Sequence, residues 1–156
     1  MRAIILDTFP VSCIGKSRDA HIGETDLCRD WIFSCVAQGN LVYVPEICYY
    51  EAIRELERIG ATSQIRKLKA FCLAEAYRFI PINSIHIEHA AKLWAQVRNM
   101  GKMTSDNKGI DGDMILIAQA LSLRIPPSDF VIATTNTDHL EIFAPAEKWT
   151  SVAPGI

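Results

Sequence analysis

No apolar run in the sequence is long enough to cross a bilayer. A membrane-spanning helix needs about 20 predominantly apolar residues, whereas the opening "MRAIILD" offers four before it reaches Asp7. The same shortness argues against a signal sequence, so a cytoplasmic protein with no membrane attachment is expected. Paired cysteines are missing as well. Cys13, Cys28, Cys35, Cys48 and Cys72 are odd in number and form no C-x-x-C pair. That pattern argues against a disulfide scaffold and a thiolate metal site, and leaves reduced, mostly buried thiols as the expectation. Nor does charge of one sign dominate: the net charge is −2, which by itself favours no polyanionic or polycationic partner. Repeats, linkers and low-complexity tracts are absent, so residues 1–156 read as a single domain with room for one core.

Charge is nevertheless unevenly spread. Residues 51–100 carry +3, while 1–50 and 101–156 carry −2 and −3. A basic middle between acidic ends suits a polyanion handled through metal ions, and suits solvated helix faces equally well.

Hydrophobic periodicity alternates between strand and helix along the chain. "RAIIL" predicts a buried strand at 2–6 ending at Asp7, followed by a loop containing Pro10 and Gly15. "TDLCRDWIFSCVAQG" predicts a helix capped by Thr25 or Asp26, burying Leu27, Trp31, Cys35 and Val36, and stopped by Gly39. "LVYV" is a second strand, and Pro45 opens a helix that closes at Gly60. A helix with Ile65, Leu68, Cys72 and Ala76 in line follows, then the strand "RFIPI". The next helix places Ile87, Ala90, Ala91, Trp94 and Val97 inward and ends at Gly101. "KMTSDNKG" is a polar loop, "DMILIAQAL" opens a buried helix near Asp111, "DFVIATT" is a strand, and "KWTSV" predicts a last one. This order points to a three-layer α/β/α domain with a mostly parallel central sheet.

In such sheets ligands bind beyond the carboxyl ends of the strands. Asp7 and Asn136 each follow a strand, Glu51 lies on the helix after the second strand, and Asp111 and Asp113 open a helix on the same edge. Two aspartates before an apolar helix are more than capping requires. Crowded carboxylates repel one another, and with no basic residue expected among them, Mg²⁺ (or Mn²⁺) is the partner that oxygen donors select. Softer sites lack candidates, because His86 and His89 have no third partner.

At these residues the chain resembles the PIN domain family, metal-dependent ribonucleases that include the VapC-type toxins. "IILDT" resembles the family's first strand and aspartate, and "VPEICYYE" its segment ending in a glutamate, matching Glu51 rather than Glu46. "DMILIAQAL" is similar to the D-x-x-I-A-A-x-A-L helix start, matching Asp113 with Asp111 beside it. "TTNTDHL" is similar to the T-x-D/N segment, matching Thr134 and Asn136. The resemblance implies a PIN-like fold and hydrolysis of RNA phosphodiester bonds by an endoribonuclease, the toxin of a type II toxin–antitoxin pair with an antitoxin protein as partner. It implies Asp7, Glu51, Asp111 and Asp113 as metal ligands, catalysis by Asp7, Glu51, Asp113 and Asn136, and a homodimer. Tyr49, Tyr50, Leu56, Ile59 and Phe71 are the apolar side chains available for pairing. Two positions depart from the pattern. Phe9 stands where the family usually has Ser or Asn, with Ser12 the nearest substitute, and Asn136 is neutral. These departures favour an alternative: a PIN-fold nucleic-acid-binding or interaction module with little or no catalysis. A phosphatase of the haloacid-dehalogenase type is disfavoured, because Phe9 occupies the place of its second aspartate. Asp138 and His139 are expected on the loop surface.

Overall fold

The computed structural model describes residues 1–17, 21–101 and 109–155. Five strands, β1 (Ala3–Leu6), β2 (Leu41–Pro45), β3 (Phe79–Ile80), β4 (Phe130–Thr134) and β5 (Ala146–Lys148), form one sheet of order β3-β2-β1-β4-β5. All four pairings are parallel, with Ile4 opposite both Val42 and Val131. Ile4, Ile5 and Leu6 on β1 and Val131, Ile132 and Ala133 on β4 are completely buried. Since successive strand side chains point to opposite faces, both faces of the sheet centre must be covered. The covering helices are α1 (Thr8–Cys13), α2 (Glu24–Ala37), α3 (Glu46–Arg58), α4 (Thr62–Leu73), α5 (Ser84–Asn99) and α6 (Ile110–Ser122). Among the described residues no helix is long and apolar enough to cross a membrane.

The chain builds outward from β1 to β2 and β3, then returns to β1 and builds the other way through β4 and β5. The carboxyl ends of β1 and β4 therefore flank the topological switch point, where connections diverge and leave a crevice. The Asp7 amide donates to Ala133 O at 3.0 Å, so Asp7 sits in that crevice. Opposite it, α6 is fixed by Gln119, the polar residue inside its apolar run. Gln119 is fully buried, donates from Nε2 to Ile80 O (2.7 Å) and accepts from the Ile47 amide (3.2 Å), tying α6 to β3 and to the start of α3. The five cysteines are all buried and unpaired with one another in disulfides.

Several elements differ from expectation for identifiable reasons. The loop expected around Pro10 is α1, because Asp7 caps it by accepting from the Thr8 amide, and Pro10 falls in the first turn, where a missing N–H costs nothing. α2 starts at Glu24, and Asp26 reaches back to the Gly23 amide (3.0 Å). Its buried face is Cys28, Ile32 and Cys35, leaving Leu27 54% exposed. α5 turns similarly: His86, Ala90, Leu93 and Val97 are inward while Ile87, Ala91 and Trp94 are exposed. Ala76 lies beyond α4 and is exposed. The last strand is Ala146–Lys148, and "WTS" forms a 3₁₀ turn after it. The expected polar loop at 102–109 lies, except for Gly109, outside the described residues. Gly60 stops α3 as expected, at φ +69°, where a side chain would be strained.

Candidate active site

Asp7, Glu51 and Asp113 line one open cavity of about 510 Å³ at the switch point, together with Thr8, Phe9 and Arg54. Each arrives by a different route. Asp7 directly follows β1 and caps α1. Glu51 is carried by α3, whose amphipathic turns bury Cys48, Ala52 and Leu56 and leave Glu51 half-buried on the neighbouring face. Asp113 is in the first turn of α6, where the helix dipole favours a negative charge.

The Asp7 carboxylate is held on both oxygens. Oδ1 accepts from the Thr8 amide (2.7 Å) and from the Cys48 thiol (3.7 Å), and Oδ2 accepts from the Thr134 hydroxyl at 2.6 Å. Burial, with the neighbouring Asp7 charge second, pushes the Cys48 thiol well up, so it stays a neutral donor. Glu51 Oε1 accepts from the Thr8 hydroxyl at 2.8 Å. One threonine thus joins the first two carboxylates. Gly112 allows α6 to approach: a Cβ there would stand 3.0 Å from Glu51 Oε2.

Asp113 differs in environment. Its Oδ2 lies 3.0 Å from His139 Nδ1. Burial pushes its acid up to about 6; the His139 hydrogen bond opposes the rise, and the charges of Asp7 and Glu51 add to it. The cluster is not free of basic groups, as had been expected. Arg54 Nη2 stands 3.9 Å from Glu51 Oε2 at the rim and lies over Tyr50, and His139 meets Asp113.

The other two expected site residues, Asp111 and Asn136, do not line this cavity. Asp111 lines a second cavity, between α5 and α6, with Ile87, Trp94 and Arg98. Two residues apart on a helix means about 200° of rotation, so Asp111 and Asp113 cannot share a face. Asn136 accepts on Oδ1 from the Asp138 amide (3.1 Å), and its own amide donates to Thr134 Oγ1 (3.0 Å). It shapes the loop after β4. Ser12 lines the acidic cavity beside Phe9 and donates to Phe9 O at 2.6 Å. Glu46 accepts from the Ile82 amide and does not line the cavity. His86 belongs to an N-terminal cap with Asn83, and burial lowers its pKa.

Sequence reasoning passed over Thr8 and Gly112, and it placed His139 on the loop surface, whereas the structure buries most of that side chain against Asp113. Thr8 and Gly112 adjoin Asp7 and Asp113, and adjacency was the available signal. For His139, set on a loop without periodicity, the quoted "TTNTDHL" was the only hint.

The chain matches the PIN domain family over residues 20–143. Among solved structures it is similar to VapBC-1 from nontypeable Haemophilus influenzae, with a TM-score of 0.58 and 19% identity, covering 96% of this chain and 99% of that one. It is also similar to FitAcB from Neisseria gonorrhoeae, with a TM-score of 0.57 and 16% identity over the same shares of each chain. At such identities the likeness establishes the fold. No curated protein matches the sequence. PIN domains are generally nucleases. The family match runs from before α2 to beyond β4 and takes in Glu51, Asp113 and the loop after β4; the protein belongs to the PIN domain family.

Proposed function

We propose that this protein is a metal-dependent endoribonuclease that hydrolyses RNA phosphodiester bonds and serves as the toxin of a toxin–antitoxin pair. The observation that carries this reading is the convergence of Asp7, Glu51 and Asp113, from three distant segments, on one cavity at the switch point. The donors suit a hard divalent cation. They are all oxygens, and the elevated Asp113 acid reflects a buried carboxylate beside two others. Among the described residues no three of His, Cys, Asp and Glu form a ready-made metal cluster. An open site of this kind suits Mg²⁺ or Mn²⁺, which keep several waters.

In this reading Asp7, Glu51 and Asp113 hold the cation. Bound there, it would supply polarisation of the scissile phosphate and activation of water. Thr134 fixes Asp7 and Thr8 fixes Glu51, so these two carboxylates need little reorganisation. Arg54 at the rim meets the negative charge of the incoming backbone. Asn136 contributes through the loop that it turns, and Asp111 takes no part. Incubation with single-stranded RNA should give cleavage with Mn²⁺ and none with EDTA. Uncut RNA under every metal condition would overturn the assignment.

Phe9 favours the second reading, a PIN-fold binding module, since it sets an apolar ring in the cavity wall. That reading expects RNA retained intact and binding indifferent to EDTA. The toxin assignment draws on the resemblance to VapC-type toxins and on the similarity to VapBC-1. Co-expression with the protein encoded beside it should yield a stable complex lacking nuclease activity. Self-association belongs to the same reading. Of the side chains expected at the pairing surface, Leu56 and Phe71 are buried in the core and Tyr49 packs against it. The surface to be covered is therefore Tyr50 and Ile59, 52% and 57% exposed, with Leu73 at 84%, and light scattering at tens of micromolar (on the order of 10⁻⁵ M) should show a dimer.

A further inference from the structure

The loop after β4 is more ordered than its polar sequence suggests, and its order converges on one side chain. Thr134 is fully buried and receives the Asn136 amide. Asn136 Oδ1 then receives the Asp138 amide, and Thr137 O receives the Glu141 amide at 3.0 Å. Leu140, completely buried, anchors the 3₁₀ turn Leu140–Ile142 that follows. His139 stands between these two fixtures with its side chain only 14% exposed. Its Nδ1 is 3.0 Å from Asp113 Oδ2.

We propose that His139 is the positioning residue for Asp113, donating from Nδ1 to Oδ2 and turning the other carboxylate oxygen toward the cavity shared with Asp7 and Glu51. The inference rests on the metal-binding reading above. An ionised carboxylate can only accept, so the hydrogen lies on the imidazole nitrogen. Asp7 and Glu51 have neighbouring threonines to orient them, but Asp113 sits on a different element, out of their reach. The β4 loop supplies what α6 does not. Metal ligands are commonly oriented by such outer hydrogen bonds, whose loss weakens metal binding by about 10- to 100-fold. Asn136 acts one step further out, by setting the turn that delivers the ring.

The test is Mn²⁺ affinity by calorimetry at pH 8, with the melting temperature in EDTA measured alongside. His139→Ala should weaken Mn²⁺ by about 10- to 100-fold while the metal-free melting temperature barely moves. His139→Asn should recover most of the affinity, because the asparagine Nδ2 lies close to where the imidazole Nδ1 stood and still donates. Asn136→Ala should weaken binding in the same direction by a smaller factor. Parent-like affinity in His139→Ala would overturn the inference and leave the metal site standing. Equal loss in His139→Ala and His139→Asn would overturn it too, because the ring and not the donor would then matter. A parent protein that binds no Mn²⁺ would overturn the metal reading itself, and this inference with it.

Discussion

Asp7 and Asp113 face one cavity from opposite walls and are held in contrasting ways. Asp7 is built into the sheet: its amide is part of the β1–β4 register, and three donors from three elements fix its two oxygens. Asp113 is carried by the mouth of a helix, and one imidazole from a loop meets it. Its acid is pushed up to about 6 by burial. The strand-side wall is therefore satisfied as it stands, whereas the helix-side wall holds a carboxylate whose charge is under-compensated. The two walls of the cavity thus differ in how far their carboxylates are already compensated by the protein itself.

Replacing each aspartate by asparagine should separate the two walls most sharply. Either change should lower metal-dependent RNA cleavage by on the order of 10²–10³-fold. The metal-free melting temperature should fall only for Asp7→Asn, which weakens three hydrogen bonds to a charged acceptor. Asp113→Asn, which removes an awkward charge, should melt at or above the parent temperature. Identical melting shifts in the two variants would erase the contrast.

The pH dependence of stability probes the same difference. A carboxyl whose folded pKa is raised binds its proton more tightly folded than unfolded. Its neutral form carries no penalty below the ordinary value of 3.8, and the penalty grows as pH rises through about 6. Urea unfolding in EDTA should show the parent losing roughly 1–3 kcal/mol relative to Asp113→Asn between pH 4 and pH 7.5. Parallel pH curves for the two proteins would count against it.

A third measurement addresses the strand wall. Thr134→Val removes the donor to Asp7 Oδ2 and the acceptor for the Asn136 amide, in a fully buried position. Leaving such groups unsatisfied costs about 1–3 kcal/mol, readable as a lower denaturation midpoint with unchanged slope. The smallest effect is expected at Gly112. Gly112→Ala should gain up to about 1 kcal/mol from reduced backbone freedom, while its methyl displaces Glu51 by a few tenths of an ångström. Stability and Mn²⁺ affinity should move in opposite directions, and a variant improved in both would show that Glu51 has room to spare.

The strand-ending position of Asp7 and the helix-opening position of Asp113 were legible because strand and helix boundaries are written in apolar runs. The separation of Asp111 from Asp113 was equally legible in principle, as 200° of helical rotation, yet adjacency in sequence obscured it. The inward faces of α2 and α5 were misphased because apolar residues occur on both sides of each helix. Leu27 next to Cys28, and Trp94 next to Leu93, offer no polar contrast to fix the phase. His139 could not be found from pattern, since its placement depends on side-chain caps within a loop and on the distant α6.

The hydrogen bond between Asp7 and Thr134 joins residues 127 positions apart. At synthesis rates of about 5–20 residues per second, the second partner follows the first by roughly 6 to 25 s. During that interval β1 lacks one neighbour, and the cavity lacks both the Thr134 hydroxyl and the His139 ring. Both walls of the cavity are therefore completed only after Thr134 and His139 have been made, which the topology places long after Asp7.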